Sequence, residues 1–274
     1  MPEKHKKIHK IGDISYMHMM LTAPSGWGKT VYIGSHPKVL ILLTDPEGSF
    51  SAKKLGSNAE EWTCRTAAEL REAKNWLRDG GHELYDVVAV DNISHAQKLM
   101  MHESKANNLA RPGSKADPLV PALDDYLRAQ LGIEEFVLQM HDIPIHVIWT
   151  AWQEDHEDKE GNVHYAPSIQ GSKGAVAQQI MGYMNINAFG ETITKEGKAV
   201  RRLWFTQHEK FRGKDRFHAL GRYRDDLTLP QTLEAIGLAE KKASAARATG
   251  TAKPATATSA KRAVAPKRRA AVKN

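Results

Sequence analysis

The hydrophobic residues of this chain occur in short continuous runs, separated by longer segments with helical periodicity. A continuous apolar run bounded by turn residues is typical of a strand that is buried on both faces of a sheet. Such runs predict strands at residues 16–21, 39–43, 85–90 and 145–149. The segments between them predict a short helix ending near residue 35 and two longer helices at 67–79 and 124–141. Because strands and helices alternate, we expect an α/β fold with a mostly parallel sheet flanked by helices.

The longest predicted helix, residues 124–141, has a hydrophobic pattern that indicates which side chains face the core. The inward positions predicted for this helix are Leu127, Leu131, Phe136 and Leu138.

The pattern changes after about residue 153. Residues 154–162 are rich in charge and include Glu160-Gly161-Asn162, which predicts a charged loop with a hairpin turn. Two later apolar segments predict strands at 185–189 and 199–205. The residues between them, 194–198, contain a glycine and are expected to form a second turn.

The charge of the chain is concentrated at its end. Of the 39 Lys and Arg residues, ten lie in 241–274, which contains no acidic residue. Residues 1–240 contain the remaining 29 basic residues and all 32 acidic residues, which gives them a net charge of −3. The tail has no aromatic residue, so it cannot bury a core and is predicted to be disordered. We therefore divide the chain into a polar lead-in at 1–13, a globular domain at 14–240 and a basic tail at 241–274.

Composition excludes several classes of protein. No apolar run approaches the roughly 20 residues that span a bilayer, so a membrane partner is not expected. The charged first residues lack the apolar stretch of a signal peptide. Cys64 is the only cysteine, which excludes an intrachain disulfide and favours a cytoplasmic location.

The first predicted strand runs into a glycine-rich loop at residues 23–30. The sequence Ala23-Pro24-Ser25-Gly26-Trp27-Gly28-Lys29-Thr30 follows the Walker A pattern G-x-x-x-x-G-K-[ST], with Ala23 in place of the first glycine. In this pattern the glycines let main-chain N–H groups turn toward phosphate oxygens, and the following helix directs its positive end at the same anion. The loop therefore predicts an ATP site.

Each polar position of this loop has an expected role. Lys29 reaches the β- and γ-phosphates, and the hydroxyl of Thr30 is a ligand of Mg²⁺. Trp27 is expected to be exposed near the nucleotide. The residues predicted to bind the nucleotide are Ser25, Gly26, Trp27, Gly28, Lys29 and Thr30.

Three carboxylates follow predicted strands. Asp91 ends the apolar segment 87–90, the Walker B arrangement, and is expected to hold Mg²⁺ through water. Asp45 and Glu47 follow the strand at 39–43, which is expected to end at the same edge of the sheet. A carboxylate at this edge can orient the attacking water, so Glu47 is the candidate general base and Asp45 the alternative.

A polar residue at the end of the strand at 145–149 can sense the γ-phosphate. Gln153 is the first candidate for this role and Thr150 the second.

The order of these pieces resembles the RecA-like ATPases, in which a P-loop, a strand ending in Asp-x-Glu, a Walker B strand and a strand with a polar sensor follow one another. The chain is most similar to short phage-encoded AAA family ATPases associated with single-strand annealing recombination. Further matches are Tyr165-Ala166-Pro167-Ser168 and Gly213-Lys214-Asp215-Arg216. The resemblance covers about residues 14–238.

The resemblance implies a RecA-like P-loop core that hydrolyses ATP with Mg²⁺, acts on DNA in phage recombination, replication or repair, and assembles as a ring or filament. It also implies a bacterial host cytoplasm and, as a further partner, a single-strand-binding or annealing protein. A cation from a neighbouring subunit can complete such a site, and Lys214, Arg216 and Lys173 are the candidates.

The basic tail is expected to bind phosphate backbones non-specifically, with single-stranded DNA favoured. A solubilising tail and an acidic protein partner are the alternatives. Two other functions stay open for the whole chain: a nucleotide-dependent switch or loader with negligible turnover, and a P-loop kinase.

Overall fold

The computed structural model describes residues 14–45, 49–157 and 160–239, except for the side chain of Lys173. Glu47, the lead-in at 1–13 and the tail at 241–274 lie outside the described residues.

Ten strands form the sheet of the described chain. In chain order they are β1 His18–Ala23, β2 Val39–Leu43, β3 Glu60–Thr63, β4 Val87–Asp91, β5 His146–Glu157, β6 Val163–Pro167, β7 Ile186–Lys195, β8 Lys198–Trp204, β9 Lys214–Asp215 and β10 Tyr223–Asp225.

Seven α-helices connect or follow these strands in the described residues. They are α1 Lys29–Ile33, α2 Phe50–Lys54, α3 Ala67–Arg78, α4 Ile93–Leu109, α5 Leu123–His141, α6 Ala175–Tyr183 and α7 Leu229–Ala235. None of the helices in the described part of the chain is long and apolar enough to cross a membrane.

The strand order across the sheet is β10-β8-β7-β1-β5-β4-β2-β3, with β6 beside β5 and β9 beside β7. The six strands from β7 to β3 pair in parallel, whereas β8, β10, β6 and β9 pair antiparallel. The predicted α/β fold with a mostly parallel sheet is therefore confirmed. The parallel register carries the carboxyl ends of β1, β2, β4 and β5 to one edge.

Two hydrophobic cores lie on opposite faces of this sheet. Side chains alternate along the strands, so that Met20 and Trp149 face one core and Met19 and Ile148 face the other. Helices α3, α4, α5 and α6 cover the first face, and α1 and α7 cover the second. The prediction of helices on both faces is confirmed.

The inward face predicted for α5 is largely wrong. Leu127, Leu131 and Leu138 are exposed, and only Phe136 of the predicted set is buried. The buried face consists of Ala129, Ile133, Phe136, Val137 and Met140. Apolar residues occur around most of this helix, so its periodicity alone does not show which side packs on the sheet.

The 17-residue helix α4 was not predicted, because its buried face is partly polar. Ser94, Gln97 and Ser104 are buried there. Each makes a hydrogen bond that offsets the cost of burial: Ser94 Oγ accepts from the Trp152 N–H, Gln97 exchanges two bonds with the main chain of Gln170, and Ser104 Oγ donates to Asp125.

The hairpin predicted around Glu160-Gly161-Asn162 is present, but β5 continues through much of the segment expected to be a loop. The strand reaches Glu157 and pairs antiparallel with β6 from Gln153 onward. Cross-strand pairing stabilises this polar stretch although it lacks an apolar pattern.

Two histidines are stacked near the beginning of β1. The rings of His18 and His141 have centroids 3.8 Å apart. Burial lowers the pKa of His18 to about 4, against the opposing charge of Asp142, and burial together with His18 lowers the pKa of His141 to about 3. The indole N–H of Trp149 donates to Nε2 of His141 at 3.0 Å, which requires a neutral ring.

These lowered pKa values predict a loss of stability in mild acid. The unfolded chain, with histidine pKa values near 6.5, binds protons that the folded chain does not bind until about pH 4. The free energy of unfolding should therefore fall as the pH drops below 6.5, by about 2 kcal/mol for His18 alone near pH 5. Urea denaturation at about pH 7.5 and about pH 5 measures the difference. His141→Gln keeps an acceptor for the Trp149 N–H and should reduce the difference in unfolding free energy between the two pH values. An unchanged difference would contradict the role of the buried histidines.

Candidate functional site

The loop between β1 and α1 has the backbone that a phosphate-binding loop requires. Gly26 and Gly28 have φ values of 80° and 105°, a region that favours glycine. Ala23 is the last residue of β1 and has extended backbone. The alanine at the first Walker A position therefore needs no positive φ, and the departure from the pattern is compatible with the loop.

Lys29 begins α1 and is buried. Its Nζ donates to the main-chain oxygens of Ala23 at 2.8 Å and Pro24 at 3.1 Å, so the ammonium lies across the loop. Burial lowers the pKa of Lys29, and the nearby carboxylate of Asp91 partly offsets this effect. The structure thus places the ammonium inside the loop, bonded to main-chain oxygens at the start of the loop.

Asp91 lies at the carboxyl end of β4 and is only 5% exposed. The Thr30 hydroxyl donates to its Oδ2 at 2.6 Å, and the Thr150 hydroxyl donates to its Oδ1 at 2.5 Å. One carboxylate therefore joins the P-loop helix to β4 and β5. The Walker A and Walker B residues predicted from sequence are in direct contact.

A second set of hydrogen bonds holds the ends of β2 and β4 together. Thr44 Oγ1 accepts from the Asn92 N–H at 2.9 Å and donates to Asn92 O at 3.0 Å. His95 Nδ1 donates to Thr44 O at 2.7 Å, and the His95 N–H donates to the Asn92 side chain at 2.8 Å. These bonds fix the backbone beside Asp91 and the position from which Asp45 follows.

Asp45 lies at the predicted edge of the sheet. β2 and β4 are neighbours in parallel, with Leu43 opposite Asp91, so the residues after β2 emerge beside the end of β4. Glu47, two residues further, falls outside the described residues. The choice between Glu47 and Asp45 as general base stays a prediction.

Of the two sensor candidates, the structure brings Thr150 and not Gln153 to Asp91. Gln153 Nε2 donates to Asp155 Oδ1 at 2.6 Å, within the exposed part of β5. Because β5 continues past residue 149, Thr150 is an internal strand position level with the end of β4, and Gln153 lies beyond the level of Ala23. The sensing role itself stays a prediction for both residues.

The expected exposure of Trp27 is wrong. Its side chain is 5% exposed and lies against β7, where the indole N–H donates to Glu191 O at 2.9 Å. A Cβ on Gly190 would come within 2.6 Å of the Trp27 ring, so the indole fills the space that this glycine leaves. Trp27 therefore anchors the loop to the sheet. The sequence does not indicate this contact, because Trp27 and β7 are far apart along the chain.

Lys214 and Arg216, two of the proposed trans-acting cations, lie away from the P-loop of their own chain. β9 pairs with the beginning of β7, and that part of β7 lies beside the first half of β1. The P-loop instead follows the end of β1. Lys214 Nζ donates to the oxygens of Met181 and Gly182 at the last turn of α6, and Arg216 contacts Gly182 O at 3.4 Å. Burial, reinforced by Arg216, lowers the pKa of Lys214 to about 8. Their role toward a second subunit stays a prediction.

The described residues fit a magnesium nucleotide. The main-chain N–H groups of such a loop and the ammonium of Lys29 would bind the phosphate oxygens. Thr30 and Asp91 offer a hydroxyl and a carboxylate, and Mg²⁺ is commonly held by one or two carboxylates together with the phosphates themselves. Among residues 14–45, 49–157 and 160–239 there is no cluster of three or more His, Cys, Asp or Glu side chains that could hold a metal ion without a nucleotide.

Sequence reasoning missed several residues that shape this site. Thr44 and His95 hold Asp91 in place but belong to no motif; only the position of Thr44 directly after a strand gives a signal. Gly190 and Arg201, which lie beside the P-loop, come from a hairpin more than 160 residues further along the chain.

Comparison with known proteins identifies the family. A family model described as AAA domain matches residues 15–217 of the 274-residue chain. No curated protein gives a significant match. Among solved structures, a KaiC-like protein from the hyperthermophilic archaeon Pyrococcus horikoshii OT3 is similar at 10% identity, with 73% of this chain and 83% of that chain covered and a TM-score of 0.39. Since the family model spans well over half of the sequence, the chain belongs to the AAA domain family.

Proposed function

We propose that this protein binds ATP with Mg²⁺ and hydrolyses it at the P-loop. The observation that carries the proposal is the Asp91 carboxylate, which accepts hydrogen bonds from Thr30 and Thr150 at one edge of the sheet. Membership of the AAA domain family supports nucleotide binding independently. A P-loop, an acid and a hydroxyl in contact are the parts that phosphoryl transfer to water requires.

The chain's own residues have the following roles in this proposal. Main-chain N–H groups from Ser25 to Thr30 and the Lys29 ammonium bind the phosphates. Thr30 and Asp91 would hold Mg²⁺, which would neutralise charge that develops on the phosphoryl oxygens. Thr150 or Gln153 senses the γ-phosphate. Thr150 also donates to one oxygen of Asp91, and the other oxygen accepts from Thr30.

Glu47→Gln tests whether hydrolysis or binding alone is the function. Glutamine keeps the size of the side chain but cannot accept a proton from water, so we expect turnover to fall by about 100-fold or more while nucleotide affinity stays within about twofold. Phosphate release and equilibrium binding of MgATP measure the two quantities, with Asp45→Asn as the matched variant. If Asp45→Asn and not Glu47→Gln abolishes turnover, the base is Asp45; if neither does, both assignments are wrong.

DNA is the proposed partner. The ten Lys and Arg residues of 241–274, without an acidic residue, supply a charge that should bind phosphate backbones with a steep salt dependence. We propose action on single-stranded DNA in recombination, replication or repair, by a RecA-like homo-oligomer whose Lys214, Arg216 or Lys173 completes a neighbour's site. Phage origin and an annealing or single-strand-binding partner follow from the resemblance alone.

Truncation after Glu240 tests the role of the tail. DNA binding by the intact chain that falls steeply with salt, and is lost in the truncated chain, would support the proposal. Equal binding by both chains would place the DNA contact in the globular domain. Turnover that no nucleic acid stimulates would favour the switch or loader, and a phosphorylated acceptor would favour the kinase.

A further inference from the structure

The hairpin of β7 and β8 extends past the end of β1 and lies beside the P-loop. β7 pairs with β1 only as far as Phe189, opposite Thr22, yet it continues to Lys195. Glu191 to Lys195 pair with β8 instead, from Arg202 to Lys198. Within the described residues, this part of the hairpin therefore has no strand of the parallel sheet on its other side, and its neighbour there is the P-loop.

Trp27 fixes the distance between the hairpin and the loop. Its indole ring occupies the space above Gly190, and its N–H bond to Glu191 O holds it there. Because the ring is almost fully buried, the loop and the hairpin are held in one arrangement.

Arg201 extends from β8, opposite Thr192, toward the P-loop backbone. Its Nη1 lies 3.1 Å from the place where a Cβ of Gly28 would be, and its Cδ lies 3.6 Å from the same point. Its guanidinium is also 6.0 Å from the centre of the Trp27 ring. Gly28 lies in the P-loop directly before Lys29, and in this sequence pattern the main-chain N–H groups of the loop bind phosphate.

Arg202, the next residue on β8, is an arginine with a structural role in this hairpin. Arg202 makes two hydrogen bonds to Asp225, at 2.7 Å and 3.0 Å, and lies 3.7 Å from the centre of the Tyr223 ring. Arg201 instead has Asp226 at 3.9 Å from its Nε, a longer contact with a side chain that is 57% exposed. Its guanidinium can therefore turn to a ligand on the loop at little cost.

We propose that Arg201 is a phosphate-binding residue of the nucleotide site, supplied by the same chain that supplies the P-loop. This inference rests on the proposed function. Lys29 is expected at the β- and γ-phosphates, whereas the main chain of the loop surrounds the α- and β-phosphates. Since Arg201 lies beside Gly28, it contacts the α- or β-phosphate and binds di- and triphosphates alike. A guanidinium suits this role because it is always charged and can donate two parallel hydrogen bonds.

The test is the affinity of the full-length chain for MgADP and for magnesium with a non-hydrolysable ATP analogue, measured by calorimetry. Arg201→Gln should weaken binding of both by the same factor, about 10- to 100-fold, because one charge-assisted contact is lost. Arg201→Lys keeps the charge and should recover part of the affinity. Lys198→Gln, at the exposed turn of the same hairpin, is the matched control and should bind like the unsubstituted chain.

The outcomes separate this inference from the function on which it rests. If the unsubstituted chain binds neither nucleotide, the proposed function and this inference both fail. If it binds both and Arg201→Gln binds them equally well, only the inference fails. A lower thermal midpoint of Arg201→Gln without nucleotide, which Arg201→Lys does not recover, would assign Arg201 to packing of Trp27 and also overturn the inference.

Discussion

Replacing Asp91 with Asn is expected to abolish magnesium-dependent ATP hydrolysis and to leave the fold intact. Asparagine has the same shape and keeps one oxygen that can accept from Thr30 or Thr150, but it has no charge to hold Mg²⁺. Loss of one preorganised electrostatic group at a reacting centre lowers turnover by about 100- to 1,000-fold. The measurement is the rate of phosphate release as a function of magnesium concentration.

The control for this substitution is Asp45→Asn, which removes a carboxylate from the neighbouring strand end. If Asp91 is the metal-binding carboxylate, only Asp91→Asn should abolish the response of nucleotide affinity to magnesium. Turnover that Asp91→Asn leaves within about threefold of the unsubstituted chain would contradict the assignment, since the expected loss is far larger.

Replacing Lys29 with Met is expected to remove the stabilisation that a nucleotide gives to the fold. Methionine keeps the apolar stem of the buried side chain but has no ammonium to bind phosphate. A ligand that binds only the folded state raises the thermal midpoint according to its concentration relative to Kd. MgADP should therefore raise the midpoint of the unsubstituted chain and leave that of Lys29→Met unchanged.

Lys38→Met is the matched control, because Lys38 is an exposed lysine between α1 and β2. It should keep the full nucleotide-dependent shift. An equal shift in Lys29→Met would show that MgADP binds elsewhere on the protein. A large fall of its midpoint without nucleotide would instead indicate that the bonds from Lys29 to Ala23 and Pro24 stabilise the loop itself.

The central part of the site could be predicted from sequence because it depends on local patterns. An apolar strand that ends in Asp91, and a glycine-rich loop that ends in Lys29 and Thr30, are visible without any knowledge of the fold. The parallel arrangement then follows from the alternation of strands and helices and brings these residues to one edge of the sheet. Their contact is the consequence of two local patterns and one rule of topology.

The remainder depends on contacts between distant parts of the chain. The burial of Trp27 requires Gly190, and the position of Arg201 requires the hairpin beyond the end of β1. Neither the burial of Trp27 nor the position of Arg201 can be recognised from the neighbouring residues in the sequence. The apolar run of β5 ends at residue 149, so it does not show that Thr150 is an internal position of a strand that continues through polar residues paired with β6. A hydrophobic pattern predicts which part of a strand is buried, but it does not predict the residue at which the strand ends.

The most direct test of the central claim is steady-state ATP hydrolysis by the intact chain with magnesium, with and without single-stranded DNA. The account predicts phosphate release that requires magnesium, rises with DNA and is lost in Lys29→Met. Binding of ATP without turnover, whatever nucleic acid is added, would contradict it and would make the protein a nucleotide-dependent switch.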